Sequence, residues 1–201
     1  MVTFVVLVIL CSCTTDKGPS LPFFHYILRL SILDASGNDL VKGIVCNAWD
    51  SEKGQMSELD SDFGSVKPDL YKLEVVFPEP WMDVYHRTPT PGAILDRIVP
   101  TLAVHIIDDY YYLYLETSSD RYDDKERSRA AEMLTFKLTC PYIFGNNAIH
   151  EIVTYWKEGN KPTNSRVCYR IEIGGNTFTE IKHQNREQVS EAQVTIAGRT
   201  N

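Results

Sequence analysis

The sequence predicts an all-β fold of the antiparallel β-sandwich type. Apolar and polar residues alternate with a period of two along many short segments, as they do in strands that bury one face. Turn-forming clusters such as ASGND, FGNN and IGGN separate these segments. No sustained amphipathic helix pattern appears beyond the short stretch DDKERSRAAEM. Many short strands separated by turns are typical of a β-sandwich.

Nine segments carry the strand pattern. The clearest are YILRLSIL, which begins at Tyr26, and YKLEVVF, which begins at Tyr71, because every second residue in them is large and apolar. IGGNTF is expected to close a tight hairpin, since glycine supplies the positive φ that primed turns need. In chain order, the predicted strands cover residues 26–33, 43–49, 71–77, 99–107, 110–116, 133–140, 149–156, 166–173 and 193–196.

Two longer segments are expected to be irregular. Residues 78–92 contain four prolines, which cannot donate a ladder hydrogen bond and which fix their own φ. Residues 118–132 carry mixed charges and predict a solvated loop.

The chain opens with an apolar run that predicts an export signal. From Val2 to Leu10 every residue except Thr3 is large and apolar. The run is shorter than the roughly 20 residues that a membrane-spanning helix needs, and its length suits the apolar region of a signal peptide. A buried N-terminal strand is the alternative, because valine and isoleucine favour strands.

The four residues LCSC, which end at Cys13, resemble the lipoprotein box of bacteria. In that motif the cysteine is acylated and becomes the mature N-terminus. Cys13 fits better than Cys11, because Leu10 is too bulky for the small position before the modified cysteine. We therefore expect a lipoprotein signal peptide over residues 1–12, a lipidated N-terminus and tether over residues 13–22, and a single β-sandwich domain over residues 23–201. Several acyl chains on Cys13 would hold that domain firmly at a membrane surface.

The charge balance narrows the classes of partner. The formal net charge is −7 and the isoelectric point is about 5.2. A nucleic-acid partner would need a basic surface, so none is expected. The acidic balance argues equally against a polybasic membrane patch, which leaves the lipid as the expected membrane contact.

The three cysteines beyond the signal could pair or stay reduced. Cys140 follows the apolar positions of its strand, and Cys46 shares a face with Ile44 and Ala48. Alternation in RVCYRIEI places Cys168 on the polar side of its strand, unless a bulge intervenes. A disulfide between Cys46 and Cys140 is therefore the more plausible pairing. Buried thiols without a disulfide are the favoured alternative, since free cysteine behaves as a small hydrophobe.

Three segments resemble known families. TCPYIFGNNAIHEIVTYWKEGN, residues 139–160, and RVCYRIEIGGNTF, residues 166–178, together with the LCSC box resemble uncharacterised outer-membrane or surface lipoproteins of Bacteroides-type bacteria. This resemblance implies a β-rich domain anchored to the outer membrane in the cell envelope, with no established activity. ELDSDFGSVKPDLYKLEV, residues 58–75, is similar to part of the transthyretin-like sandwiches. The expected sandwich is therefore immunoglobulin-like or transthyretin-like.

No motif of catalysis or of cofactor binding is evident. There is no GxSxG elbow or glycine-rich phosphate loop, and the five histidines lie far apart. HEIVT lacks the second histidine of HExxH, because Thr154 stands in its place. We therefore predict no enzyme and no cofactor, and the alternative is an enzyme whose site assembles from distant residues.

Two acidic clusters are weak candidates for metal binding. ELDSDFG offers the oxygen ligands that calcium prefers, and HIIDDYYY adds a histidine. A solvated turn explains the first cluster equally well, and a strand, a turn and a new strand explain the second. The residues concerned are Glu58, Asp60, Asp62, His105, Asp108 and Asp109.

Aromatic residues are the best indication of a binding site. Tyr110, Tyr112 and Tyr114 share one face of a predicted strand, while Trp81 and Tyr85 lie in the proline-rich segment. Exposed aromatics with carboxylates nearby suit a sugar ring or a protein partner from the envelope or a host. We expect a binding or adhesion module, and the alternatives are core packing of these rings and a structural envelope component without a ligand.

Overall fold

A computed structural model describes residues 24–50, 55–78, 81–83, 102–121, 131–159, 165–184 and 189–197. Strands dominate these residues, which confirms the all-β prediction. The helical elements among them are a 3-10 turn at Pro68–Leu70 and the four-residue helix α1 at Pro141–Phe144. No helix in the described part is long and apolar enough to span a bilayer.

Fourteen strands join in one continuous hydrogen-bonded sheet. They are β1 Phe24–Leu33, β2 Cys46–Asp50, β3 Gln55–Ser61, β4 Gly64–Val66, β5 Lys72–Val76, β6 Trp81–Asp83, β7 Leu102–Ile107, β8 Tyr110–Arg121, β9 Met133–Thr139, β10 His150–Glu158, β11 Ser165–Ile173, β12 Asn176–Phe178, β13 Ile181–Gln184 and β14 Val189–Thr195. Each of the nine predicted strands overlaps one of these.

The sheet has two arms that share β1 and β8. The first arm runs in the order β3, β2, β4, β7, β8, β1, β14, β13, and the second in the order β6, β8, β1, β11, β10, β9, β5, with β12 added to β11. On one edge of β1, His25 and Tyr26 pair with β11, and residues 28–33 pair with β14. The sheet therefore divides along β1, just after Tyr26.

The sheet is mixed, and the prediction of a purely antiparallel arrangement is wrong for β1. This strand is antiparallel to β8 but parallel to both β11 and β14. Alternating side chains look the same in either orientation, so the sequence pattern did not distinguish them. Every other named strand pair is antiparallel.

The core contains a tightly packed aromatic pair with a hydrogen-bonded threonine. Tyr26 and Trp156 are fully or nearly fully buried and meet edge to face, with ring centroids 5.2 Å apart. Trp156 Nε1 donates to Thr154 Oγ1 at 2.7 Å, and this hydroxyl donates to the Leu134 carbonyl at 3.1 Å. The buried polar atoms of this strand are thereby satisfied inside the core.

A bulge in β11 corrects the predicted orientation of Cys168. Tyr155 pairs with Arg170, but its neighbour Trp156 pairs with Cys168, so Tyr169 is an extra residue. The extra residue turns Cys168 to the face of Trp156, where it is fully buried. At this point the Cys168 N–H donates to the buried hydroxyl of Ser190 on β14 at 2.8 Å. This hydrogen bond joins β11, in the second arm, to β14, in the first arm.

The three described cysteines are buried thiols. No disulfide joins Cys46 to Cys140, or either of them to Cys168. Cys46 begins β2 in the first arm, whereas Cys140 follows β9 in the second. The proposed Cys46–Cys140 pairing is therefore absent from this structure, because the two residues belong to strands on opposite sides of the shared pair.

Two segments predicted as irregular contain strand residues. Trp81–Asp83, within the proline-rich segment, forms β6 on the edge of β8, since these three residues all keep their N–H groups. β8 itself continues to Arg121, so the first four residues of the segment predicted as a solvated loop belong to the strand. The predicted IGGNTF hairpin is confirmed, with Gly174 at φ 58° and Gly175 at φ 79°.

Candidate binding groove

The faces of β8 alternate as predicted. Leu113 and Leu115 are fully buried in the core. Tyr112 and Tyr114 lie half-buried on the opposite face, and Tyr110 at the start of the strand is 60% exposed. The predicted set of tyrosines is therefore outside the core, where it can meet a ligand.

A groove of about 610 Å³ lies beside Tyr110 and Tyr112. Strand pairing explains its width, because β1 separates β8 from β14, and β13 follows β14 at the edge of the sheet. We call it the tyrosine groove. It is lined by Ser31, Tyr110, Tyr112, Glu180, Ile181, Lys182, Glu191, Ala192 and Gln193.

Glu191 is the most buried charged residue of this groove and is held on both oxygens. Its exposed fraction is 8%. The Tyr112 hydroxyl donates to Oε1 at 3.3 Å, and Gln184 Nε2 donates to Oε2 at 3.0 Å. Burial, followed by the charge of Glu191, raises the pKa of Tyr112, which keeps this phenol a proton donor. The carboxylate is therefore fixed in position, with lone pairs left on each oxygen.

Tyr114 belongs to a neighbouring cluster and does not line the groove. Its hydroxyl donates to Glu116 at 3.0 Å, and its ring stacks on His105 with centroids 4.2 Å apart. Burial, followed by the charge of Arg29, lowers the pKa of His105. Arg29 pairs in register with both Tyr114 and Glu191, so its strand joins this cluster to the groove.

The structure does not bring all five predicted aromatics together. Trp81 pairs with Arg121 at the far end of β8 from Tyr110, roughly 35 Å away along an extended strand. The side chain of Trp81 and the whole of Tyr85 lie outside the described residues. Tyr110 and Tyr112 are the two that meet in the groove.

The first acidic cluster forms a turn with partners of its own. The Asp60 carboxylate forms an ion pair with Lys67, and Asp62 accepts a hydrogen bond from the Tyr111 hydroxyl at 3.3 Å. The side chain of Glu58 lies outside the described residues, although its backbone belongs to β3. The contacts of Asp60 and Asp62 fit the alternative of a solvated turn between β3 and β4.

The second acidic cluster forms the tight turn between β7 and β8. Asp108 and Asp109 have φ values of 50° and 65°, both in the left-handed region, and both side chains are exposed. His105 lies within β7 against Tyr114. Within the described residues no three His, Cys, Asp or Glu side chains are grouped as metal ligands would be.

One histidine meets a serine that the sequence pattern did not link to it. His25 Nδ1 lies 2.9 Å from the Ser118 hydroxyl, between paired positions of β1 and β8. Among the described side chains no carboxylate hydrogen-bonds to His25, so the orienting group of a catalytic triad has no counterpart there. His150 instead contacts Asn146 at 3.0 Å and stacks on Phe144.

Sequence reasoning missed the wall of the groove opposite the tyrosines. Lys182 and Gln184 lie on β13, which was not predicted, and Glu191 precedes the predicted strand 193–196. The signal was present in QVSEAQVTI, where Glu191 stands at an alternating position next to small and apolar residues. No family model, curated protein or solved structure matches the chain.

Proposed function

We propose that this protein is a non-enzymatic binding module of a Gram-negative cell envelope that recognises a glycan or a protein partner through the tyrosine groove. An acylated Cys13 would hold it at the outer membrane, and the lipobox LCSC supports that location. The domain that carries the groove would be an immunoglobulin-like or transthyretin-like sandwich whose layers are the two arms. Apolar side chains from both arms in one core cluster support this arrangement.

One observation carries the binding function: an exposed tyrosine stands beside a carboxylate that is already fixed in place. Tyr110 is 60% exposed, so its ring contributes little to the core. Glu191 is buried among polar donors although removing a carboxylate from water is unfavourable. Together they form a concave surface with an apolar wall and a few fixed polar groups, which is the usual composition of a ligand site.

The location is tested by protease treatment of intact cells that express the full-length chain. Digestion before lysis would indicate display on the outer surface, and protection until lysis would indicate the periplasmic side. Cys13→Ala is the control and should move the protein out of the membrane fraction. If Cys13→Ala stays in that fraction, the lipid anchor is refuted.

The binding function is tested by comparing partners retained by the parent chain and by Tyr110→Ala. The matched control is Tyr169→Ala, which removes another exposed tyrosine, 42% exposed, on the second arm. We expect Tyr110→Ala to lose a glycan or envelope protein that Tyr169→Ala retains. Identical retention by all three proteins would contradict the proposal and favour a structural envelope component.

A further inference from the structure

We infer that the ligand of the tyrosine groove is a glycan unit without negative charge, stacked on Tyr110 and hydrogen-bonded to Glu191. This inference rests on the proposed binding function of the groove and names its ligand class. A neutral hexose and an amino sugar both belong to that class, whereas uronic and sialic acids do not.

Tyr110 supplies the stacking surface. It follows the Asp108–Asp109 turn directly and pairs in register with Ile107, so its backbone is fixed by the hairpin. With 60% of the residue exposed, the ring is open to a ligand without displacement of a core side chain. The C–H face of a sugar ring is apolar and packs on an aromatic face, as other apolar groups do.

Glu191 supplies a fixed acceptor for hydroxyl or amino hydrogens. Its two oxygens face Tyr112 and Gln184 and keep further lone pairs. Hydrogen bonds from hydroxyls to an ionised carboxylate are short and strong, and no reorganisation is needed when the acceptor is already held. Ser31 and Gln193 line the same groove and add a hydroxyl and an amide, which can both donate and accept.

The size and lining of the groove favour a sugar over a protein surface. Its volume of about 610 Å³ is that of a small-molecule site. A stable protein interface buries about 800 Å² on each partner around an apolar centre. Here the centre is a carboxylate with hydroxyl and amide neighbours, and these groups match the dense hydroxyls of a glycan.

The charges around the groove explain the exclusion of acidic sugars. Glu180 and Glu191 line it together with Lys182, which pairs in register with Glu191. Arg29 flanks Glu191 on the other side and already faces its charge. Asp108 lies close enough to contribute to the raised pKa of Tyr112. A second carboxylate brought by the ligand would meet Glu191 in a partly desolvated position, where repulsion between like charges is strong.

The test is calorimetric titration of the purified full-length chain with four probes. These are gluco-oligosaccharides, manno-oligosaccharides, glucosamine oligomers and galacturonate oligomers of matched length. We expect at least one of the first three to bind and galacturonate to bind about tenfold more weakly or not at all. Tyr110→Ala should weaken the binding by about tenfold or more, while Tyr110→Phe, which keeps the ring, should stay within about threefold.

Two further variants separate the contributions. Tyr169→Ala should bind as the parent does, because that ring lies on the second arm. Glu191→Gln should weaken binding of the preferred probe and reduce the discrimination against galacturonate, which a variant that had merely lost its fold could not do.

Three outcomes would overturn the inference. Galacturonate as the tightest ligand would refute the charge argument, and equal affinities for Tyr110→Ala and the parent would refute the stacking. If no probe binds while Tyr110→Ala still loses an envelope protein that Tyr169→Ala retains, the glycan class is wrong and the binding function survives. If that retention test also shows no difference, both proposals fall.

Discussion

Replacing Thr154 by valine should destabilise the core, because the Thr154 hydroxyl accepts from Trp156 Nε1 and also donates to the Leu134 carbonyl. Valine keeps the branched shape of threonine but cannot accept the hydrogen bond that Trp156 Nε1 donates at 2.7 Å. Both residues are buried, at 0% and 1% exposure, so water does not replace the partner. An unsatisfied buried donor costs about 1–3 kcal/mol. For a chain of 201 residues that corresponds to a fall in Tm of roughly 2–12 °C.

A double-mutant cycle isolates this hydrogen bond from packing. Urea unfolding followed by circular dichroism would give the free energy of unfolding for the parent, Thr154→Val, Trp156→Phe and the double variant. Phenylalanine lacks the indole donor, so Thr154→Val should cost at least about 1 kcal/mol less in that background. Equal costs of Thr154→Val in both backgrounds would refute the reasoning, since the loss would then not come from the orphaned indole N–H.

Other positions give sharp expectations of the same kind. Gly64→Ala should lower Tm by more than Gly37→Ala. Both glycines have positive φ, but a Cβ at Gly64 would lie 2.6 Å from the Asn47 carbonyl oxygen, whereas a Cβ at Gly37 would meet no atom within 4 Å. Equal Tm values for the two variants would contradict this. Burial raises the pKa of the Cys168 thiol to about 12, so mass spectrometry should show alkylation at about pH 8 only after unfolding, and rapid labelling of the folded chain would disprove the placement. Burial first, then Arg29, holds the pKa of His105 below 6.5. The unfolded chain therefore binds that proton more tightly, and the stability that neutral His105 contributes is present above pH 6.5 and is lost as the pH falls through the folded pKa. Urea unfolding at several values between about pH 7 and pH 5 should show that the free energy of unfolding falls less for His105→Gln than for the parent as the pH is lowered.

Side-chain alternation predicted what depends on local geometry alone. The period of two placed Tyr112 and Tyr114 on one face of their strand and Leu113 and Leu115 on the other, and the structure shows that the leucine face is the one in the core. The same pattern located strands throughout the chain, because a half-buried strand needs no knowledge of its partner to be recognised.

The features that depend on partners were not predictable from the same pattern. The bulge at Tyr169 adds one residue to β11, and its effect on Cys168 is visible only when β10 is placed beside it. The orientation of β11 and β14 against β1 is likewise set by connections over long distances in the chain. Glu191 faces Tyr112 from a position 79 residues later in the chain, so the groove could not be assembled from either segment alone.

The shared strand β1 also limits when the pairing of strands in the sheet can be completed during folding. It is the first described strand, yet β14, which pairs with its residues 28–33, is the last. A growing or translocating chain exposes β1 long before its neighbour exists, and pairing across such a separation is slow. The sheet therefore reaches its final hydrogen-bonded state only after β14 has emerged, although β1 can pair with β8 and β11 before then.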